Sequence, residues 1–281
     1  MNPLEQALLG WQCLGSAARA LTRPVTWGVW LPLALVRFGT LAALAMAAHP
    51  MVSSFAAPVV LALAGPHALH YPGLYRALPA VFGRVDAATW GVVGLWAAGA
   101  SSAQVTAMAG GAAESAGALM ARALRRLPLL WLAELPALAL GWALTEGILL
   151  WLASRGSGAL TVRLLTMIAA VALVIARAFY GWLPALVVAG GHGVSDAWHE
   201  LGRLAGRGYL AAFVITLVTT LPALPLWLAL RSPGRWVDAG HPGWVALLLA
   251  AGVAVTLLTS FLSVVALTLA WRALEEDPWH S

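Results

Sequence analysis

Residues 195–210 read SDAWHELGRLAGRGYL, and their reading decides the fold. They hold six charged or titratable side chains in a chain that is otherwise short of them, with long apolar runs on either side. On a helix, Ala197, Trp198, Leu201, Leu204 and Ala205 form one stripe, and Asp196, His199, Glu200, Arg203 and Arg207 form the other. That helical period predicts a helix lying in an interface, one face in acyl chain and one in water. The flanking runs are then membrane spans, and the polar burst is an elbow between them.

Composition agrees. Of 281 residues, 61% are hydrophobic and 10% charged, with a mean hydropathy of +0.84. A soluble domain carries about 25% charged residues. This chain has too little polar surface to cover itself in water, so its solvent is lipid. All sixteen basic residues are Arg. Without lysine there is no Schiff base, no phosphate-loop lysine and no Ser–Lys dyad. The arginines sit scattered at the ends of apolar runs, which speaks for phospholipid contact and against nucleic acid. Cys13 is the only cysteine, which excludes an intrachain disulfide and a thiol metal cluster.

Six segments are long enough to cross the roughly 30 Å hydrocarbon layer. They lie near 24–48, 86–109, 127–152, 162–190, 208–230 and 243–271. The first is read as an uncleaved span, because its polar lead is long and Arg37 interrupts the run. Residues 49–85 form an insertion after it. Their apolar stretch MVSSFAAPVVLALA, 51–64, is too short to cross comfortably and is expected to form a helical cap on the outer surface, with a seventh span as the alternative.

The polar device recurs. In ESAGALMARALRRLP, Ala116, Leu119, Met120, Ala123, Leu124 and Leu127 oppose Arg122 and Arg126. At the N-terminus, Leu4, Leu8, Trp11, Leu14, Ala18 and Leu21 oppose Arg19 and Arg23. Each copy ends in Arg-x-x-x-Arg: Arg19/Arg23, Arg122/Arg126 and Arg203/Arg207. One turn apart, both guanidinium groups are expected to face anionic head groups or an acidic partner. AGGAAES at 109–115 also parallels AGGHGVSD at 189–196. The predicted fold is an all-α, polytopic transmembrane bundle in a single membrane domain. It has about six spans in three repeats of amphipathic interface helix plus two-span hairpin, over about 1–109, 110–190 and 191–272. Arginine placement puts both termini in the cytoplasm.

A span ending near ALVVAGG, the basic amphipathic segment SDAWHELGRLAGRGY, and a last span running into LTLAWRALEED form a pattern over most of residues 100–277. The pattern resembles the six-span bacterial integral membrane proteins related to the membrane-anchor domain of glycerophosphodiester phosphodiesterases. The resemblance implies a helical membrane domain of the bacterial inner membrane and no shared activity. The phosphodiesterase domain that some members carry has no counterpart in these residues, and the insertion at 49–85 departs from the simpler pattern.

Arg37, Glu134, Glu146 and Arg177 fall inside predicted spans, where a charge costs about 2.5–3.5 kcal/mol even on the lenient insertion scale. They are expected to face the bundle interior, with Glu134–Arg177 as the leading pair and Arg37 close by. Such a pair serves either as a bridge fixing helix register or as a polar path, and the bridge is the favoured reading. His192, Asp196, His199 and Glu200 share a helical face, yet HELGR lacks the second histidine of H-E-x-x-H, and Arg203 and Arg207 repel a cation. Capping and a solvated face are preferred to metal binding. Ser101, Ser102 and Gln104 are read as interhelical hydrogen bonders. With no nucleophile motif, zinc signature or phosphate loop, no enzyme activity and no cofactor are expected. The expectation is a scaffold, accessory subunit or lipid-interacting component, with membrane lipids and a membrane-complex protein as partners. The alternative is a transporter or permease subunit with a polar path near Arg37, Glu134 and Arg177.

Overall fold

The computed structural model describes residues 1–111, 114–147, 151 and 159–276, with the side chains at 24–25, 145–146, 159–160 and 162–163 outside that description. Its helices, in chain order, are α1 (Pro3–Ala20), α2 (Pro24–Trp27), α3 (Leu31–Ala45), α4 (Pro50–Ala64), α5 (Gly73–Thr89) and α6 (Leu95–Ala109). They continue as α7 (Ala116–Trp142), α8 (Ala159–Tyr180), α9 (Val194–Thr220), α10 (Leu224–Leu230), α11 (Pro233–Asp238) and α12 (Gly243–Glu275). Single π turns occupy Trp90–Gly94, Ala143–Gly147 and Ala185–Ala189. No strand occurs among the described residues. The class is all-α, as the periodicity predicts.

Among the described residues, four helical stretches are long and apolar enough to cross a bilayer: Gly73–Ala109, Leu164–Ala189, Val194–Leu230 and Gly243–Glu275. A fifth is counted if α3 and α4 form one broken span, bent by 95° between them. By length and composition the chain is a multi-pass membrane protein. The first predicted span becomes the 15-residue α3. The third coincides with the second half of α7 and the π turn that continues it to Gly147, and its residues 148–150 and 152 lie outside the described residues.

The elbow at 195–210 is corrected. Residues 194–220 form one uninterrupted 27-residue helix, so the polar segment is the first part of the span helix and no separate shelf. The reason is local. Gly202, Gly206 and Gly208 weaken a helix without stopping it, and the first proline comes only at Pro222. Residues 116–142 behave the same way despite Pro128 and Pro136. The apolar stripe is corrected as well, since Ala197, Leu201 and Leu204 are buried in protein.

The chain divides into two compact units, neither of which coincides with a repeat read from the sequence. One unit comprises Met1–Thr26, Ala98–Thr220 and Phe261–Ser281. In it α1 packs on α9 and α9 on α8. The Gln6 side-chain oxygen accepts from the Leu210 N–H at 3.2 Å, and a Cβ on Gly10 would stand 2.9 Å from the Ala211 carbonyl oxygen. Only a glycine lets these two backbones approach so closely, the small-residue packing that holds helices together in lipid. Along α1, Cys13, Leu14 and Ala17 are buried, whereas Leu4, Leu8 and Trp11 are exposed. The single apolar face read from the sequence is therefore split, one edge on protein and one outward. Tyr180 of α8 meets Trp198 of α9 edge to face at 5.5 Å.

The other unit comprises Trp27–Ala97 and Leu221–Ser260. Its core gathers Leu41 and Leu44 of α3, Val60 of α4, Leu78, Val81 and Phe82 of α5, and Val245, Leu249 and Val253 of α12. Three charged residues of α5 tie it to its neighbours. Arg76 pairs with Asp238 of α11, Arg84 donates to the Leu63 carbonyl of α4 at 3.0 Å, and Asp86 pairs with Arg37 of α3.

Candidate functional site

The functional residues singled out in the sequence are charges at the ends of apolar helices and charges within them. The end groups fall into two kinds. Arg126 of α7 is half-buried and donates to two carbonyls, Val187 at 3.1 Å and His192 at 3.4 Å. These are orphan acceptors where the π turn at Ala185–Ala189 runs out, and Gly191, with φ +76°, turns the chain there. Arg207 of α9 is also half-buried and donates to the Leu274 carbonyl at the end of α12, at 3.4 Å. Arg272, which in the sequence counts only toward orientation, donates to the Thr106 carbonyl near the end of α6 at 3.3 Å and to Glu276 at 2.5 Å. A guanidinium over a helix C-terminus satisfies carbonyls and opposes the negative end of the dipole.

The second kind stays outward. Arg19, Arg23 and Arg203 are exposed, and Arg122 is half-buried. Arg19 donates to the Ser16 hydroxyl at 3.1 Å, Arg122 pairs with Glu114 at 2.5 Å, and Arg203 pairs with Glu200 at 2.7 Å. The expectation that both members of each pair face the same partner is thus corrected for the second and third pairs. In each, the second arginine is turned into the protein and the first is left at the surface. The buried apolar stripe explains this: Leu201 and Leu204 carry the flank of α9 that bears Arg207 onto neighbouring helices.

Within the helices, Arg37 is buried and binds Asp86 through two contacts, Nε to Oδ1 at 2.6 Å and a terminal nitrogen to Oδ2 at 2.7 Å. In the sequence Asp86 stands where the second apolar run begins and so reads as a flank. The helix actually begins at Gly73, which places Asp86 inside it. Glu134 of α7 is buried and interacts electrostatically with Arg177 of α8, the pairing the sequence suggested. The Glu146 side chain lies outside the described residues.

The remaining polar candidates pack as structural groups. Thr268 of α12 donates to the Ser102 hydroxyl of α6 at 3.0 Å, a buried bond between helices. Ser101 and Gln104 are buried beside it in sequence. Among the described residues no group of three or more His, Cys, Asp or Glu side chains is arranged to hold a metal. Burial pushes the Cys13 thiol up to about 11, so it is held as an unreactive thiol at neutral pH.

Comparison with protein-family models, with curated proteins and with solved structures finds no match to this chain.

Proposed function

We propose that this chain is a non-catalytic protein of the bacterial inner membrane, a scaffold or accessory subunit that holds anionic lipid and a protein partner. The observation that carries the reading is the sorting of its arginines. Arg126, Arg207 and Arg272 serve the fold by capping helix ends, which leaves Arg19, Arg23, Arg122 and Arg203 at the surface as cations on or beside apolar helices. Such cations attract phosphate head groups at about 1 kcal/mol each near an anionic surface.

The proposal includes six crossings, both termini in the cytoplasm, and three repeats. Two parallels favour repeats two and three. Gly111 and Gly191 both turn with positive φ, +68° and +76°. The caps Arg126 to His192 and Arg207 to Leu274 span 66 and 67 residues. The kinship with membrane anchors of glycerophosphodiester phosphodiesterases belongs to the same proposal and rests on the helix pattern alone.

The test is extraction in mild detergent followed by native mass spectrometry. Retained anionic lipid or a stoichiometric protein partner is expected, with lipid lost in the Arg19→Ala/Arg203→Ala variant. A clean, lipid-free monomer overturns the reading. The electrostatic contact of Glu134 with Arg177 favours a second reading, a transporter subunit with a polar path. On that reading Glu134→Gln abolishes transport in a protein that still folds, whereas a structural bridge loses folding instead.

A further inference from the structure

We infer that α4 lies within one leaflet of the bilayer, as an in-plane helix whose outer face is covered by lipid acyl chains. Residues 50–64 contain no charged side chain, and α4 has 15 residues, about 22 Å of helix against a hydrocarbon layer of about 30 Å. It is too short to cross. Its axis turns 95° from α3, so the two helices cannot both run along the membrane normal, and α4, unlike α3 with Arg37, carries no charge along its length.

Its packing explains which side is free. Ala56 and Val60, one turn apart, are buried against the core of their unit. Met51, Phe55 and Val59, also one turn apart, form the outer stripe and are exposed, Met51 by 82% and Phe55 by 59%. A stripe of that size facing water is unfavourable at about 25 cal/mol per Å². The occupant follows from continuity. The stripe extends back along the chain through Met46 into Phe38, Leu35 and Leu31, exposed on α3. Beyond Ser53 and Ser54 near its start, where the Ser53 hydroxyl donates to the Pro50 carbonyl at 3.2 Å, polar groups stand at the two ends of α4. His49 caps its start, Arg84 caps the Leu63 carbonyl near its finish, and His67 and His70 follow, both exposed. An apolar slab with polar ends and one buried edge fits a leaflet, with the end groups reaching the head-group level.

The inference rests on the membrane reading, and the test separates the two. Cys13→Ala removes the only cysteine, after which Met51→Cys, Phe55→Cys and Val59→Cys each carry one nitroxide label. Ile168→Cys, exposed on α8, is the span control, and His67→Cys marks the polar boundary. The full chain is reconstituted in phosphatidylethanolamine–phosphatidylglycerol vesicles, and collisions with oxygen and with a water-soluble nickel chelate are read by spin resonance. Positions 51, 55 and 59 are expected to favour oxygen as position 168 does, with position 67 favouring nickel. Equal oxygen-to-nickel ratios at 51, 55 and 59 are expected of a helix at one depth; nickel access at these positions, or a ratio that changes steadily from 51 to 59 as along a crossing helix, overturns the in-plane helix. Protection from both reagents also overturns it, with spin–spin broadening identifying a second copy as the cover and its absence another part of this chain. Nickel access at 168 overturns the membrane reading and this inference together.

Discussion

Arg37 of α3 and Asp86 of α5 join through two parallel hydrogen bonds, 2.6 and 2.7 Å long, with the arginine side chain 7% and the aspartate 21% exposed. Removing either partner strands the other charge. Arg37→Ala or Asp86→Ala is expected to destabilise the protein by roughly 3–5 kcal/mol, whereas Arg37→Met with Asp86→Leu costs much less. Thermal unfolding in detergent checks this. Equal losses in the single and double variants would remove the pair from the account of stability.

The two kinds of arginine predict two sizes of effect. Arg126→Ala exposes the carbonyls of Val187 and His192 to a site without a donor, and about 1.5–3 kcal/mol is expected to be lost. Arg122→Ala breaks an ion pair with Glu114 that is partly exposed on both sides and is expected to cost at most about 1 kcal/mol. Unfolding midpoints of the two variants, measured side by side, check the order. A larger loss at Arg122 would reverse the assignment.

The contact of α1 with α9 depends on Gly10. In Gly10→Leu the new Cβ meets the Ala211 carbonyl oxygen at 2.9 Å, and the rest of the side chain has nowhere to go. Detachment of α1 is expected, at a cost of about 1–3 kcal/mol for overpacking. Protease cleavage within residues 1–23 should appear in this variant under conditions that spare the parent chain.

Cys13 gives a chemical reading of the same contact. Thiolate is the reactive form, and a thiol raised to about 11 from an ordinary value of 9.0 holds about a hundredth of the usual thiolate at pH 8. Maleimide labelling of the folded chain is therefore expected to be slow at pH 8 and to rise about tenfold per pH unit up to pH 10. Rapid labelling at pH 7 would show the thiol to be uncovered. Gly10→Leu is expected to label faster than the parent at every pH.

The helical class and most long helices are legible in the sequence, because 3.6-residue periodicity and apolar length report them directly. The buried edge of α9 was legible too, as Ala197, Leu201 and Leu204, but not what covers it. Acyl chain and protein core select the same residue types, so the stripe alone could not tell a surface shelf from a packed helix. The absence of a break before Pro222 was the available signal that elbow and span are one element. The partnership of Glu134 with Arg177 was readable from cost and depth. That of Arg37 with Asp86 was not, since an aspartate near a span boundary looks like an ordinary flank until the helix is seen to start at Gly73. The capping role of Arg272 is not legible in the sequence, because its acceptor is a backbone carbonyl 166 residues away, which no side-chain pattern announces.

The unbroken α9 has a mechanical consequence. Its 27 residues make a rod about 40 Å long, roughly 10 Å more than the oily layer is thick. A push on its charged tip has no flexible joint in which to dissipate between Val194 and Thr220. Leaning the rod by about 10° about its middle swings each end by roughly 3–4 Å. A tilt that moves Glu200 and Arg203 near one end therefore also displaces Thr219 near the other.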